Sequence, residues 1–173
     1  LSSSPSLWRH LAWMFARPLL RGARNVANLH GSWRLGRLGY LDFAANRPAG
    51  ALAPQGGDLG FLYSLVRARK PRLIIELGSG CSTVIFAQAL YDNAREDPAH
   101  AGRIISLDGM AQWAEVTQAS IPGHLAPFCD IRHVEAVAED QGNDLGFRYE
   151  ALPDGEPDFL YVDGPALQPG RKI

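Results

Sequence analysis

Cysteine is scarce in this chain of 173 residues: only Cys81 and Cys129 occur, and they have neither metal-site nor disulfide spacing. A reducing compartment, the cytoplasm, is the expected setting. Acids are missing from Leu1 to Leu41, where six arginines (Arg9, Arg17, Arg21, Arg24, Arg34, Arg37) stand. Eleven of the seventeen basic residues are therefore left to offset all eighteen acids beyond Leu41. An arginine-rich arm thus precedes an acidic domain, although the net charge is only -1. No run of about 18 apolar residues occurs, so no segment reads as a bilayer-spanning helix. Arg9 interrupts the only apolar stretch that could serve as a signal peptide, and no small-residue cleavage pattern follows it. No internal repeat is visible. The chain begins with leucine, so the start of the natural chain is expected to be missing.

With 46% hydrophobic and 20% charged residues, the chain has enough apolar material for one globular domain plus extensions. Its organisation reads as an arginine-rich helical arm over residues 1–45, a Pro/Gly linker over 46–57 and a ligand-binding domain over 58–173. In the arm Leu7, Trp8, Leu11, Met14, Phe15, Leu19 and Leu20 alternate with Arg9, His10, Arg17 and Arg21, and Pro18 breaks or kinks any helix there. Such an arm can cap a site on its own domain, lie on an anionic membrane surface as a peripheral element, or pair with a partner chain. Nucleic acid is not expected, because these arginines lack a recognisable binding fold. Asp58 reads as the N-cap of a helix whose apolar stripe is Leu59, Leu62, Tyr63, Leu65 and Val66, ended by the basic stretch Arg67 to Arg72.

The most informative segment runs from Leu73 to Ser82. An apolar strand, Leu73 to Leu77, carries one carboxylate at Glu76 and opens onto Gly78-Ser79-Gly80-Cys81-Ser82-Thr83, after which Val84, Ile85, Phe86, Ala87, Ala89 and Leu90 recur at helical spacing. Glycines at a strand-to-helix turn either take positive φ or let a ligand touch the backbone, and the helix that follows presents unpaired N–H groups. A dinucleotide fold wants a third glycine where Thr83 stands, and a pyrophosphate there would be repelled by Glu76. A ligand carrying an ammonium and a sulfonium, but no phosphate, suits a carboxylate at that place. S-adenosylmethionine is such a ligand.

These residues resemble the first motif of class I S-adenosylmethionine-dependent methyltransferases, in the variant GSGxST, with Ser82 where the third glycine of that family's motif usually stands. The resemblance implies a Rossmann-like three-layer α/β/α fold and a cofactor site containing Glu76, Gly78, Ser79, Gly80, Ser82 and Thr83. Two further segments fall where the family would place them. Arg103 to Asp108 reads as a second buried strand ending in an acid able to accept both ribose hydroxyls, or else to cap the next helix. Its distance from Gly80 exceeds the roughly 20 residues usual for that role, and the surplus reads as an inserted loop from Tyr91 to Gly102. A helix is expected from Gln112 to Ile121, stopped by Pro122-Gly123.

Asp158 to Pro165 resembles the family's fourth strand, with Asp163 at its carboxyl end bordering methyl transfer. In open α/β sheets ligands bind outside the carboxyl ends of the strands, so Glu76, Asp108 and Asp163 are expected to converge. Residues 130–137 alternate as a third strand, placing Ala136 and Val137 near the adenine, while His133 reads as a surface strand histidine. Residues 139–157 read as a loop with a short helical turn. Cys81 reads as a small space-filling residue in the turn.

The family's sheet runs 3-2-1-4-5-7-6, and only its first four strands are legible here. An incomplete sheet, truncated after the fourth strand and doubtful in activity by itself, is the expectation, with the last strand an apolar edge. The implied function is methyl transfer from S-adenosylmethionine to oxygen or nitrogen of a small molecule, with Asp163 beside the acceptor. In catechol-type relatives an acid at this place binds a divalent cation, so the resemblance leaves room for a metal at Asp163 but names no other ligand. The rival readings are a nicotinamide-dependent oxidoreductase, disfavoured by Glu76 and Thr83, and a non-catalytic cofactor-binding module working through the arm.

Overall fold

Leu73 to Leu77 and Arg103 to Asp108 form strands with the limits that their apolar runs suggest, and they lie side by side. The structure, a computed structural model, describes residues 35–36, 55–140 and 145–165. The arm, apart from two residues, and most of the linker lie outside these described residues, as does everything after residue 165. Helix α1 spans Gly56–Arg69, strand β1 Leu73–Leu77, helix α2 Cys81–Glu96, strand β2 Arg103–Asp108, helix α3 Ala111–Ser120 and strand β3 Cys129–His133. Strands β4 (Ala136–Asp140) and β5 (Leu145–Tyr149) follow, and β6 is Phe159–Val162. The fold is Rossmann-like α/β, with a parallel four-stranded sheet in the order β3-β2-β1-β6. β4 and β5 pair antiparallel in a separate two-stranded sheet.

Right-handed crossovers from β1 through α2 to β2, and through α3 to β3, put these helices on one face; the return to β6 beyond β1 passes over the other. Side-chain packing agrees. Ile74 and Ile104 join Val66, Val84, Phe86 and Leu90 in one core, whereas Ile105 and Leu107 pack beneath Tyr149 on the opposite face. Among the described residues the hairpin thus covers part of the second face, while Leu160 and Val162 of β6 stay exposed there. Seven consecutive residues of α2, Val84 to Leu90, are buried, because α1 lies on one side and the sheet on the other. Phe86 sets its ring edge-on to Phe159 and Tyr161 of β6, with centroids 5.8 and 5.3 Å away. Asn93 fastens α2 to the end of α1 by donating to the Val66 carbonyl at 3.1 Å. No helix of the described residues is long and apolar enough to cross a membrane.

Four sequence expectations need correction. Asp58 is not the N-cap: α1 begins at Gly56 with Gln55 before it, and Asp58 sits in the first turn, where its charge still opposes the helix dipole. Tyr91 to Gly102 is not one loop, since α2 continues to Glu96 and a 3-10 turn, Pro98–His100, follows with the Asp97 carboxylate accepting from the Ala99 N–H. The helix persists because Tyr91 packs edge-on to His124 and Phe128 and Asn93 is buried. Residues 130–137 are not one strand; the Val134 N–H makes a last bond to the Asp108 carbonyl, beyond which β2 offers no further partner in register, and the chain turns into β4. Residues 139–157 contain β5, whose pairing with β4 only the hairpin reveals.

Candidate functional site

The chain runs from β1 outward through β2 to β3 and then returns to the far side of β1, so the topological switch lies between β1 and β6. A ligand crevice is expected there, outside the carboxyl ends of the strands. Gly78 and Gly164 meet at this point. Gly78 has φ 102°, and a Cβ on it would stand 2.8 Å from the Gly164 nitrogen, so both the conformation and the contact require glycine. Gly80 differs: its φ of 164° is ordinary extended backbone, and nothing lies within 4 Å of where its Cβ would be. Open space, not backbone strain, distinguishes the second glycine of the turn.

Glu76 is fully buried. Register sets it between Ser106 on β2 and Tyr161 on β6, beneath the start of α2. Its Oε1 accepts from Ser82 Oγ at 2.5 Å, and Oε2 accepts from Thr83 Oγ1 at 2.5 Å and Ser106 Oγ at 2.6 Å. Burial outweighs these three stabilising bonds and pushes the carboxyl up to about 7, with Asp163 adding a smaller repulsion. Ser82, Thr83 and Ser106 thus engage both carboxylate oxygens and brace the turn around Glu76.

Asp108 does the same from β2. Its Oδ2 accepts from the Ser79 N–H at 3.0 Å and the Ser79 hydroxyl at 2.7 Å, while Oδ1 accepts from the Met110 N–H at 2.9 Å. Thr117 of α3 lies 3.2 Å from the Ser79 hydroxyl. One lone pair on Oδ1 is left over, and the Ser79 hydroxyl can rotate toward Thr117 to release another, so two donors such as ribose hydroxyls can be accommodated.

The first three amides of the turn are engaged. Gly78 N–H donates to the Leu107 carbonyl at 2.7 Å, Ser79 N–H to Asp108, and Gly80 N–H to Thr83 Oγ1 at 2.9 Å. A phosphate cradle needs such amides free.

Ala136 opens β4 beside this site: a Cβ on Gly109 would stand 3.1 Å from the Ala136 Cβ and 3.5 Å from the Pro165 Cβ. The ends of β2 and β6 and the start of the hairpin therefore converge. Val137 follows on β4, paired with Arg148 of β5. Asp163 is exposed at the end of β6, its N–H bonded to the Leu77 carbonyl at 2.8 Å. His133 is exposed at the end of β3. Neither cysteine forms a disulfide, and burial pushes the Cys129 thiol up to about 12. No group of three or more His, Cys, Asp or Glu side chains that could hold a metal comes together among the described residues.

Sequence reading passed over Ser106, Gly164 and Tyr149. Ser106 carries a signal, a lone hydroxyl inside an apolar strand two residues before its acid. Tyr149 carries none. Its buried hydroxyl has no hydrogen-bond partner among the described residues, and desolvation, with Asp108 next, pushes it up to about 12.

The sequence matches no protein-family profile and no curated protein. Its structure is similar to parts of solved methyltransferases. An O-methyltransferase from Bacillus cereus in complex with S-adenosylhomocysteine shares 26% identity at a TM-score of 0.40, over 57% of this chain and 42% of that one. The S-adenosylhomocysteine-bound methyltransferase PaMTH1 of Podospora anserina shares 16% at 0.47, over 73% and 49%. TomG from Streptomyces achromogenes, an O-methyltransferase involved in tomaymycin synthesis, in complex with S-adenosylmethionine, shares 20% at 0.43, over 64% and 50%. The chain spans half or less of the length of each.

Proposed function

We propose that this chain carries the cofactor-binding half of a class I S-adenosylmethionine-dependent methyltransferase, acting on oxygen or nitrogen of a small molecule. What supports the reading above all is the state of the glycine-rich turn. The amides of Gly78, Ser79 and Gly80 are spent on Leu107, Asp108 and Thr83, and two carboxylates, Glu76 and Asp108, stand behind the turn. A pyrophosphate would meet negative charge, whereas a cationic nucleoside without phosphate meets a favourable field. Nothing in the geometry favours a nicotinamide cofactor.

The residues fit such a ligand. Open space at Gly80 admits it to the backbone, Asp108 is placed for the ribose hydroxyls, and Ala136 lines the crevice next to Gly109. Bound there, S-adenosylmethionine supplies a methyl group on a sulfonium leaving group. The protein's part is then chiefly orientation and exclusion of water. Asp163, exposed at the switch point, borders the acceptor and is positioned to take a proton from an acceptor that carries one.

Calorimetric titration with S-adenosylhomocysteine and, separately, with NADH tests the reading. Saturable binding of the first without the second is expected; binding of NADH alone would overturn it.

A further inference from the structure

We infer that Glu76 acts as a positioning residue, sealed from the ligand, whose charge holds the Gly78–Thr83 turn in its binding shape through Ser82, Thr83 and Ser106. The inference rests on the cofactor reading above and deepens it.

Gly80 N–H can only donate, and it donates to Thr83 Oγ1; the Thr83 proton is thereby sent on to Glu76 Oε2. Ser82 and Ser106 send theirs to the same carboxylate. Ionised Glu76 accepts from all three hydroxyls with no competing donor of its own. A proton on the carboxyl turns one of its oxygens into a donor, and one hydroxyl must then reverse or be lost. Two of the three, Ser82 and Thr83, belong to the first turn of α2, beside the open space at Gly80. The protonated form therefore loosens the part of the turn that a ligand touches.

No cation offsets this charge among the groups that act on Glu76 or feel it. These are Asp163 after β6, Tyr161 on β6, Cys129 on β3 and Tyr149 on β5. With burial raising the carboxyl to about 7, the change of state falls in the neutral range. The ionised form is the one that holds the turn in its binding shape, so affinity is expected to rise with pH.

The test is calorimetric titration with S-adenosylhomocysteine between about pH 5.5 and 8.5, on the wild-type chain, Glu76→Gln and Ser106→Ala. The wild type should gain about tenfold in affinity across neutrality, and Glu76→Gln should show no such step. Ser106→Ala removes a donor that stabilises the anion from a strand outside the turn, so its step should move to higher pH; a purely structural role for Glu76 would not move it. Should Glu76→Gln fail to fold, Ser106→Ala decides alone. Wild-type binding that stays flat with pH, or a step unchanged in either variant, overturns the inference and leaves the cofactor reading standing. No binding at any pH overturns the reading itself.

Discussion

Replacing Glu76 by glutamine should change how stability depends on pH, with no ligand present. The folded carboxyl lies near 7 against an unfolded value of 4.5, so between those limits the folded state holds more protons than the unfolded chain. Stability is therefore highest below about 4.5 and falls as pH rises toward 7. At about 1.36 kcal/mol per unit, the fall amounts to about 3 kcal/mol once the carboxylate is fully charged. Exposure gives no discount, because the group is fully buried. Glutamine resembles the protonated acid, so the wild type and the variant should lie close together near pH 5 and separate by about 3 kcal/mol near pH 8, with the variant the more stable. For a chain of this size that is about 6 to 12 °C in melting temperature. Urea or thermal unfolding of both proteins across the range reads the difference, and Asp97 and Asp130, whose values are lowered, titrate below this window. Parallel profiles would refute the placement of Glu76 as a buried, uncompensated charge. The ionisation assigned to ligand binding is thus one that the fold resists, a common exchange of stability for function.

Three further outcomes follow from the same geometry. Gly78→Ala should cost about 1 to 3 kcal/mol in stability from backbone strain alone, with the Gly164 backbone at 2.8 Å adding to it, whereas Gly80→Val should melt like the wild type yet fail to bind S-adenosylhomocysteine; calorimetry beside circular dichroism distinguishes them. Asp108→Ala should weaken S-adenosylhomocysteine binding by about 1 to 3 kcal/mol, and unchanged affinity in a folded variant would remove Asp108 from the site. Phe86→Ala, which empties the space between α2 and β6, should lower unfolding free energy by about 3 to 5 kcal/mol in denaturant titration.

The limits of β1 and β2, the turn between β1 and α2 and the position of Asp108 were legible because each depends on a short stretch of chain. An apolar run closed by an acid and glycines carries its own periodicity, and a buried parallel strand has little freedom to be anything else. The place of β6 beside β1 followed from the likeness of Asp158 to Pro165 to a known strand. Among the described residues its Leu160 and Val162 are exposed.

What only the tertiary structure decided is where each polar group finds its partner. Register with Ser106 together with the first turn of α2 surrounds Glu76 with three hydroxyl donors. Either glycine of the turn could serve a special φ or a ligand's approach, and Gly78 is the one whose φ and neighbours allow no side chain. β4 and β5 were unreadable because a hairpin draws its stability from pairing across a connection, not from pattern within either strand. Local sequence determines the propensity of each segment and which residues are apolar, acidic or lacking Cβ. The burial of a charge, the direction of a hydrogen bond and the closeness of Gly78 to Gly164, 86 residues further on, arise only when distant segments are brought into contact.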